Sequence, residues 1–189
     1  MFIQTEATPN PEVLKFLPGR DVHPEGSRDF RDAEDAEVSP LAAELFAIDG
    51  VERVFFGGDF ITVGKAPGQD WALMKAPILA AIMDHYTAGR PLFTDGEAAT
   101  GHDETAYEGD VAQIVAEIKD LLDTRIRPAV AQDGGDILFS RFEPDSGVVY
   151  LNMKGACSGC PSSTATLKAG VENLLKHYVP EVTRVEQTV

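Results

Sequence analysis

The sequence predicts an α+β protein of two small domains, with the element order ββαββα in the N-terminal domain and αββαβ in the C-terminal domain. Stretches rich in β-branched and aromatic residues alternate with amphipathic helical patterns in both halves of the 189-residue chain. A segment rich in glycine, alanine and acidic residues, without apolar periodicity, separates the halves. We therefore expect domains at residues 1–94 and 110–189, joined by a flexible acidic linker at residues 95–109.

The N-terminal domain is predicted to begin with two short strands. "MFIQTE" and the stretch around "VLKFLPG" have strand composition, and "TPNP" between them is a turn signal. The charged region Arg20–Val38 is expected to be a solvated loop with one edge strand. Ser39 before Pro40 is typical of a helix N-cap followed by proline at the first helical position. "VERVFF" and "FITVG" flank a Gly-Gly-Asp turn at residues 57–59, which indicates a hairpin.

A longer helix is predicted around "DWALMKAPILAAIMDHY". Because proline clashes with the preceding helical turn, Pro77 predicts two helical pieces, the longer of which begins at Pro77. Four apolar residues recur at helical spacing and are expected to form the core rather than a cofactor site. These residues are Trp71, Met74, Ile78 and Ile82.

The C-terminal domain is predicted to open with an amphipathic helix capped by Asp110. That helix should end at the Gly134–Gly135 turn, where glycine can adopt a positive φ. "ILFSRFE" and "VVYLNM" are predicted to pair as strands around the turn "PDSG". A second helix should then run to Pro180, and "VTRVEQ" should form the last strand.

The formal net charge of −15 argues against binding to nucleic acid or to anionic membranes. No apolar run approaches the roughly 20 residues that cross a bilayer. The N-terminal residues "MFIQTEATPNPEV" have neither the pattern of a secretory signal nor that of an organelle transit peptide. The sequence therefore predicts a cytoplasmic protein of bacterial type, without nucleic-acid or membrane partners.

Cys157 and Cys160 are the only cysteines of the chain. They lie in a loop between the strand ending near Met153 and the helix starting near Pro161. Cys160 would then lie beside a helix N-terminus, where free N–H groups and the helix dipole lower the pKa of a thiol. Small residues flank both cysteines, so that a metal–sulfide core or a second loop could approach closely. A Cys-x-x-Cys motif in a reducing compartment indicates metal or redox chemistry.

Three kinds of site are compatible with this motif. A dithiol redox site of the thioredoxin type stands early in its fold, whereas only 29 residues follow Cys160. A structural zinc site needs four ligands, so two copies of the chain would have to share it. No two of the four histidines form the close pair of a zinc finger. These histidines are His23, His85, His102 and His177.

An iron–sulfur cluster is the third kind of site, and it commonly needs four thiolates. With two cysteines per chain, such a cluster would be shared across a two-fold axis, each exposed loop holding half of the ligands. A cluster held in this way is easily lost, which suits a delivery protein better than an electron carrier. The residues alone leave the redox, zinc and iron–sulfur alternatives open.

Four segments resemble a known family. "MKGACSGCPSSTATLKAGVENLL" and "IRPAVAQDGGDI" resemble the NifU C-terminal domain. "TEATPNPEVLKFLPG" and "SPLAAELFAIDGVERVFFGGDFITVGK" resemble the Nfu N-terminal domain. The resemblance implies an iron–sulfur cluster carrier or scaffold, in which Cys157 and Cys160 are the ligands of a [4Fe–4S] cluster that bridges two subunits. The implied partners are a second copy of the chain, upstream scaffold proteins and apo iron–sulfur client proteins.

The sequence does not predict an enzyme. We find no Ser/His/Asp constellation, phosphate loop or paired-carboxylate cleft in it. Asp133 and Asp136 are close in sequence, but we interpret them as turn residues because they flank two glycines. The chain also lacks the other cysteine-rich modules of full-length NifU, which argues against a primary scaffold that builds clusters. The N-terminal domain is expected to modulate docking to donors or targets.

Overall fold

The computed structural model describes residues 1–94, 102–158 and 161–188, apart from the side chains of residues 161–163. The chain divides into two compact units, Met1–Thr100 and Gly101–Val189. Each unit has its own hydrophobic core. The predicted α+β class with two small domains is confirmed. No helix among the described residues is long and apolar enough to cross a membrane.

The N-terminal unit is an antiparallel five-stranded sheet packed against two helices. The strand order is β1-β2-β5-β4-β3. The strands are β1 Gln4–Ala7, β2 Val13–Leu17, β3 Arg28–Phe30, β4 Val51–Phe56 and β5 Ile61–Lys65. Helix α1 spans Pro40–Phe46 and helix α2 spans Trp71–Thr87. The predicted ββαββα order is therefore confirmed, with β3 as the edge strand expected within the charged region.

Two local predictions in this unit have different outcomes. Ser39 caps α1 as predicted, because its Oγ accepts a hydrogen bond from Ala42 N–H at 3.3 Å. The predicted break at Pro77 is wrong, since α2 continues through it. The carbonyl that loses its partner at Pro77 belongs to Leu73, an exposed residue, so water can solvate it. Burial of Met74, Ile78 and Ile82 then offsets the local cost of the proline.

The C-terminal unit is a three-stranded sheet covered by helices, and its αββαβ order agrees with the prediction. Strands β6 Gly135–Glu143 and β7 Val148–Gly155 are antiparallel, whereas β8 Arg184–Gln187 pairs with β7 in parallel. The helices are α3 Gly109–Leu121, α4 Arg127–Gln132 and α5 Pro161–Tyr178. Fully buried side chains from helices and strands form the core, among them Ile118, Leu122, Ile137, Leu151, Leu175 and Val185.

The first helical region of this unit differs from its prediction at two points. Glu108 occupies the N-cap position of α3, and Asp110 lies in the first turn instead of capping it. A π-helical turn, Leu122–Ile126, joins α3 to α4, and Arg127 N–H bonds to Leu122 O across it. Pro128 follows directly and has no N–H to donate, so the ordinary α-helical bond to Thr124 O cannot form there.

The predicted linker falls into two parts. Residues 95–101 lie outside the described residues. The other part, residues 102–108, is mostly exposed, as expected from its composition, but it is hydrogen-bonded along β6. Since β6 is an edge strand, its outward backbone groups need partners other than a neighbouring strand. Three hydrogen bonds provide them: Phe139 N–H to His102 Nδ1 at 2.7 Å, Asp103 N–H to Phe139 O at 2.8 Å, and Phe142 N–H to Tyr107 Oη at 2.8 Å.

Candidate metal centre

The two cysteines lie in the loop that joins β7 to α5. Strand β7 ends at Gly155 and helix α5 begins at Pro161, as the sequence predicts. Cys157 is described by the structure. Cys160 lies outside the described residues, so its place beside the N-terminus of α5 stays a prediction.

Cys157 is held by the backbone around it. Its own carbonyl accepts a hydrogen bond from Thr164 Oγ1 at 3.0 Å, which ties the loop to the first turns of α5. The preceding N–H, of Ala156, donates to Gly134 O at 3.1 Å. Only 8% of Cys157 is exposed, and it belongs to the hydrophobic core of the C-terminal unit. This differs from the exposed loop expected from the flanking small residues.

Gly135 forms the surface on which the Cys157 side chain rests. A Cβ atom at position 135 would lie 2.6 Å from Cys157 Sγ and 2.8 Å from Lys154 O. Real Cβ atoms do not approach other heavy atoms so closely, so only glycine fits without a shift of the loop or the strand. The second glycine of the predicted turn therefore allows a close approach between the sulfur and the backbone of β6.

The surroundings of Cys157 favour the neutral thiol. Burial, as the largest cause, and the nearby carboxylates of Asp133 and Asp136 together raise its pKa to about 12. This raised pKa at Cys157 contrasts with the lowered pKa predicted for Cys160 beside the helix N-terminus. Because a metal binds the thiolate, this cysteine could bind one only with release of its proton.

Asp136 is a buried strand residue, and its interpretation as a turn residue is therefore wrong. Its carboxylate accepts two hydrogen bonds from Arg127, from Nε to Oδ1 at 2.8 Å and from Nη2 to Oδ2 at 2.9 Å. It also accepts Ile137 N–H at 2.8 Å. The hydrogen bonds that Arg127 donates to Asp136 and Asp123 raise the pKa of Arg127, which stays charged. Such a bidentate pair compensates a carboxylate that is only 6% exposed.

From the sequence, Asp136 is interpreted as a turn residue and Arg127 is not singled out. Arg127 begins α4, whereas Asp136 is the second residue of β6. The periodic patterns that reveal a helix face or a strand face do not extend across this boundary. The available signal was a charged residue directly after the paired glycines and directly before the apolar run at residues 137–139.

The donor atoms of one chain do not complete a metal site within the described residues. In residues 1–94, 102–158 and 161–188, no group of three or more His, Cys, Asp or Glu side chains could hold a metal ion. A zinc site contained in one chain therefore finds no support there. With Cys160 added, one chain offers two thiolates, which is half of the usual set of four.

Comparison with known proteins decides the family. Residues 3–89 match the family described as "Scaffold protein Nfu/NifU N terminal", and residues 118–186 match the "NifU-like domain". "NifU-like protein 5, mitochondrial" of Arabidopsis thaliana is 54% identical over 187 residues, which are 99% of this chain and 68% of that protein. The chain belongs to the Nfu/NifU family. The resemblance stated from the sequence is thereby confirmed.

Other relatives of this Nfu/NifU chain match it over nearly its whole length. "NifU-like protein 4, mitochondrial" of Arabidopsis thaliana is 56% identical over 99% of this chain and 66% of that protein. "NFU1 iron-sulfur cluster scaffold homolog, mitochondrial" of Drosophila sechellia is 52% identical over 99% of this chain and 65% of that protein. The Nfu/NifU chain thus spans about two thirds of the length of these relatives.

The names of these relatives contradict the predicted location. All three are named as mitochondrial proteins, so the prediction of a bacterial-type cytoplasmic protein for this Nfu/NifU chain is wrong. Targeting segments are read by receptors and are separate from the folded domains. The residues that build these two domains therefore carry no information about the compartment.

Proposed function

We propose that this protein binds an iron–sulfur cluster as cargo through Cys157 and Cys160 and delivers it to apo-proteins. The observation that carries the proposal is Cys157 itself, packed against Gly135 in the Cys-x-x-Cys loop at the end of β7. The family membership supports it, since one relative is named an iron–sulfur cluster scaffold homolog. Thiolates are the usual ligands of such clusters.

The cluster would be shared by two chains. Because a [4Fe–4S] cluster takes four thiolates and each chain has two, a second copy would supply the other pair. The resulting homodimer would be held together partly by the cluster. Loss of the cluster would then separate the subunits, and this coupling of release to dissociation fits a carrier. Upstream scaffold proteins and apo iron–sulfur clients are the partners we propose.

The raised pKa of Cys157 gives no support to the alternative of a dithiol redox enzyme. In thiol–disulfide exchange the attacking group is a thiolate, and redox cysteines usually have lowered pKa values. Burial and two neighbouring carboxylates act on Cys157 in the opposite direction. Because the chain belongs to a family with a relative named as a scaffold, we propose a carrier rather than an enzyme. Zinc shared by two chains is an outcome that metal analysis of the purified protein would detect.

Anaerobic reconstitution with iron and sulfide is expected to load about one [4Fe–4S] cluster per two chains. The metal-free protein should sediment mainly as a monomer and the loaded protein as a dimer, because a shared cluster couples its own binding to association. Iron, sulfide and zinc analysis, Mössbauer spectra and sedimentation measure these quantities. Mononuclear iron only, a cluster held by a strict monomer, or zinc in place of iron would refute the proposal.

Removing the N-terminal domain should slow delivery without loss of the cluster. The fragment 95–189 retains the complete hydrophobic core of the C-terminal unit and every thiol of the chain. If the N-terminal domain docks clients, cutting it off lowers the effective concentration of cluster near the acceptor. Transfer from the full chain and from the fragment to an apo-enzyme can be compared by recovered activity. Equal rates with several clients would exclude the docking role.

A further inference from the structure

His102 makes two hydrogen bonds with its two ring nitrogens. Nδ1 accepts the backbone N–H of Phe139 at 2.7 Å, so this nitrogen carries no proton. Nε2 must then carry the proton of the neutral ring, and it lies 2.8 Å from Asp123 Oδ1. The two contacts therefore select one tautomer and one ring orientation. The side chain itself is only 12% exposed.

The contact with Asp123 continues to the loop that holds Cys157. The same oxygen, Asp123 Oδ1, accepts Arg127 Nη1 at 2.9 Å. Arg127 is thereby held between two carboxylates, with Asp123 on one side and the buried Asp136 on the other. Asp136 directly follows Gly135, whose backbone is the surface against which Cys157 Sγ packs.

We propose that His102 is a positioning residue for the cysteine loop, acting through Asp123 and Arg127. The hydrogen bond from His102 orients the Asp123 carboxylate, and this carboxylate orients the guanidinium of Arg127. Arg127 in turn holds Asp136, and with it the backbone of Gly135 on which Cys157 packs. Hydrogen bonds between charged groups stabilise more than neutral ones, so this series can transmit an orientation over several side chains. The role in cluster binding rests on the proposed function, whereas the effect on the Cys157 thiol does not.

The test measures how fast a thiol reagent modifies Cys157 in the metal-free, full-length protein. Cys160→Ser in every variant leaves Cys157 as the single reactive cysteine. His102→Ala is expected to accelerate modification of Cys157 roughly tenfold. The reason is that the hydrogen bond to Asp123, a charged group, no longer helps to keep Cys157 packed on Gly135. The urea midpoint of unfolding, measured in parallel, separates local opening of the loop from global destabilisation.

Tyr107→Phe is the matched control. Tyr107 Oη accepts Phe142 N–H at 2.8 Å and fastens the same segment to β6, but it makes no contact with Arg127 among the contacts described. We expect it to leave the modification rate within about twofold of the unchanged protein. Equal acceleration by both variants would show that His102 only anchors the segment, and it would overturn the proposal.

A second comparison tests the route through Asp123. If His102 acts through Asp123, then His102→Ala should add little acceleration to a protein that already carries Asp123→Ala. His102→Gln, whose amide can reach the position of Nε2, should keep the slow rate. The route through Asp123 would be refuted if His102→Ala and Asp123→Ala accelerated Cys157 modification additively. It would also be refuted if His102→Gln were modified as fast as His102→Ala. A protein that shows these thiol rates but takes up no cluster would refute the proposed function and leave His102 in its positioning role.

Discussion

Protein carrying Cys157→Ala is expected to retain less than about a tenth of the iron and sulfide that the unchanged protein takes up. In a cluster shared by two chains, one substitution removes two of the four thiolates, because each subunit loses the same residue. Among the described residues, the charged groups that act on Cys157 are the carboxylates of Asp133 and Asp136, and carboxylates are poor substitutes for soft thiolate ligands. Iron and sulfide analysis after anaerobic reconstitution measures the loss.

Ser158→Ala is the control for this experiment. Ser158 follows Cys157 in the same loop, and its Oγ donates a hydrogen bond to Gly155 O at 3.0 Å. The substitution removes that bond and keeps both thiols, so cluster content should be nearly unchanged. Cys160→Ala should match Cys157→Ala. Full cluster content in both single cysteine variants would show that the ligand assignment is wrong.

Gly135→Ala is expected to destabilise the C-terminal unit by about 1–3 kcal/mol, as overpacking of a closed core does. The added methyl would lie 2.6 Å from Cys157 Sγ and 2.8 Å from Lys154 O, and the second of these atoms belongs to the backbone. Relief requires either displacement of the cysteine loop or separation of β6 from β7. We therefore expect this variant to lose most of its cluster as well as stability. Urea unfolding and iron analysis measure the two effects.

Gly170→Ala provides the matched comparison for Gly135→Ala. Gly170 lies within α5, and a Cβ atom there would have no atom within 4 Å apart from its chain neighbours and the backbone of its own helix. Alanine in a helix interior is favoured over glycine, so this variant should gain about 0.5–1 kcal/mol and keep its cluster. Equal free energies of unfolding for Gly135→Ala and Gly170→Ala would show that Cys157 does not pack closely on Gly135 in solution.

Most elements of both domains could be predicted because their signals are local. The apolar residues of α2 recur at helical spacing, and Ser39–Pro40 forms a cap from adjacent residues. The hairpin of β4 and β5 follows from strand composition and a glycine turn. Each of these signals lies within one element or one turn, so no knowledge of distant contacts is needed to use it.

The predictions that failed are those where a tertiary contact outweighed a local rule. Pro77 should interrupt α2, yet burial of one face of that helix against the sheet keeps it continuous. Residues 102–108 are mostly exposed, as their composition predicts, but they were not expected to bond to a strand. They nevertheless lie along β6, because the edge of that strand needs hydrogen-bond partners.

The sequence by itself determined the family, the two-domain α+β class and the pair of cysteines. All three depend on residue types and on spacing along the chain. Only the tertiary structure decided the environment of Cys157: its burial, its contact with Gly135 and the ion pair of Arg127 with Asp136. The reason is that these groups come from separate elements, so the distances between them depend on how the sheet and helices pack. The pKa of a thiol depends on those distances, and for this reason it could not be obtained from the motif alone.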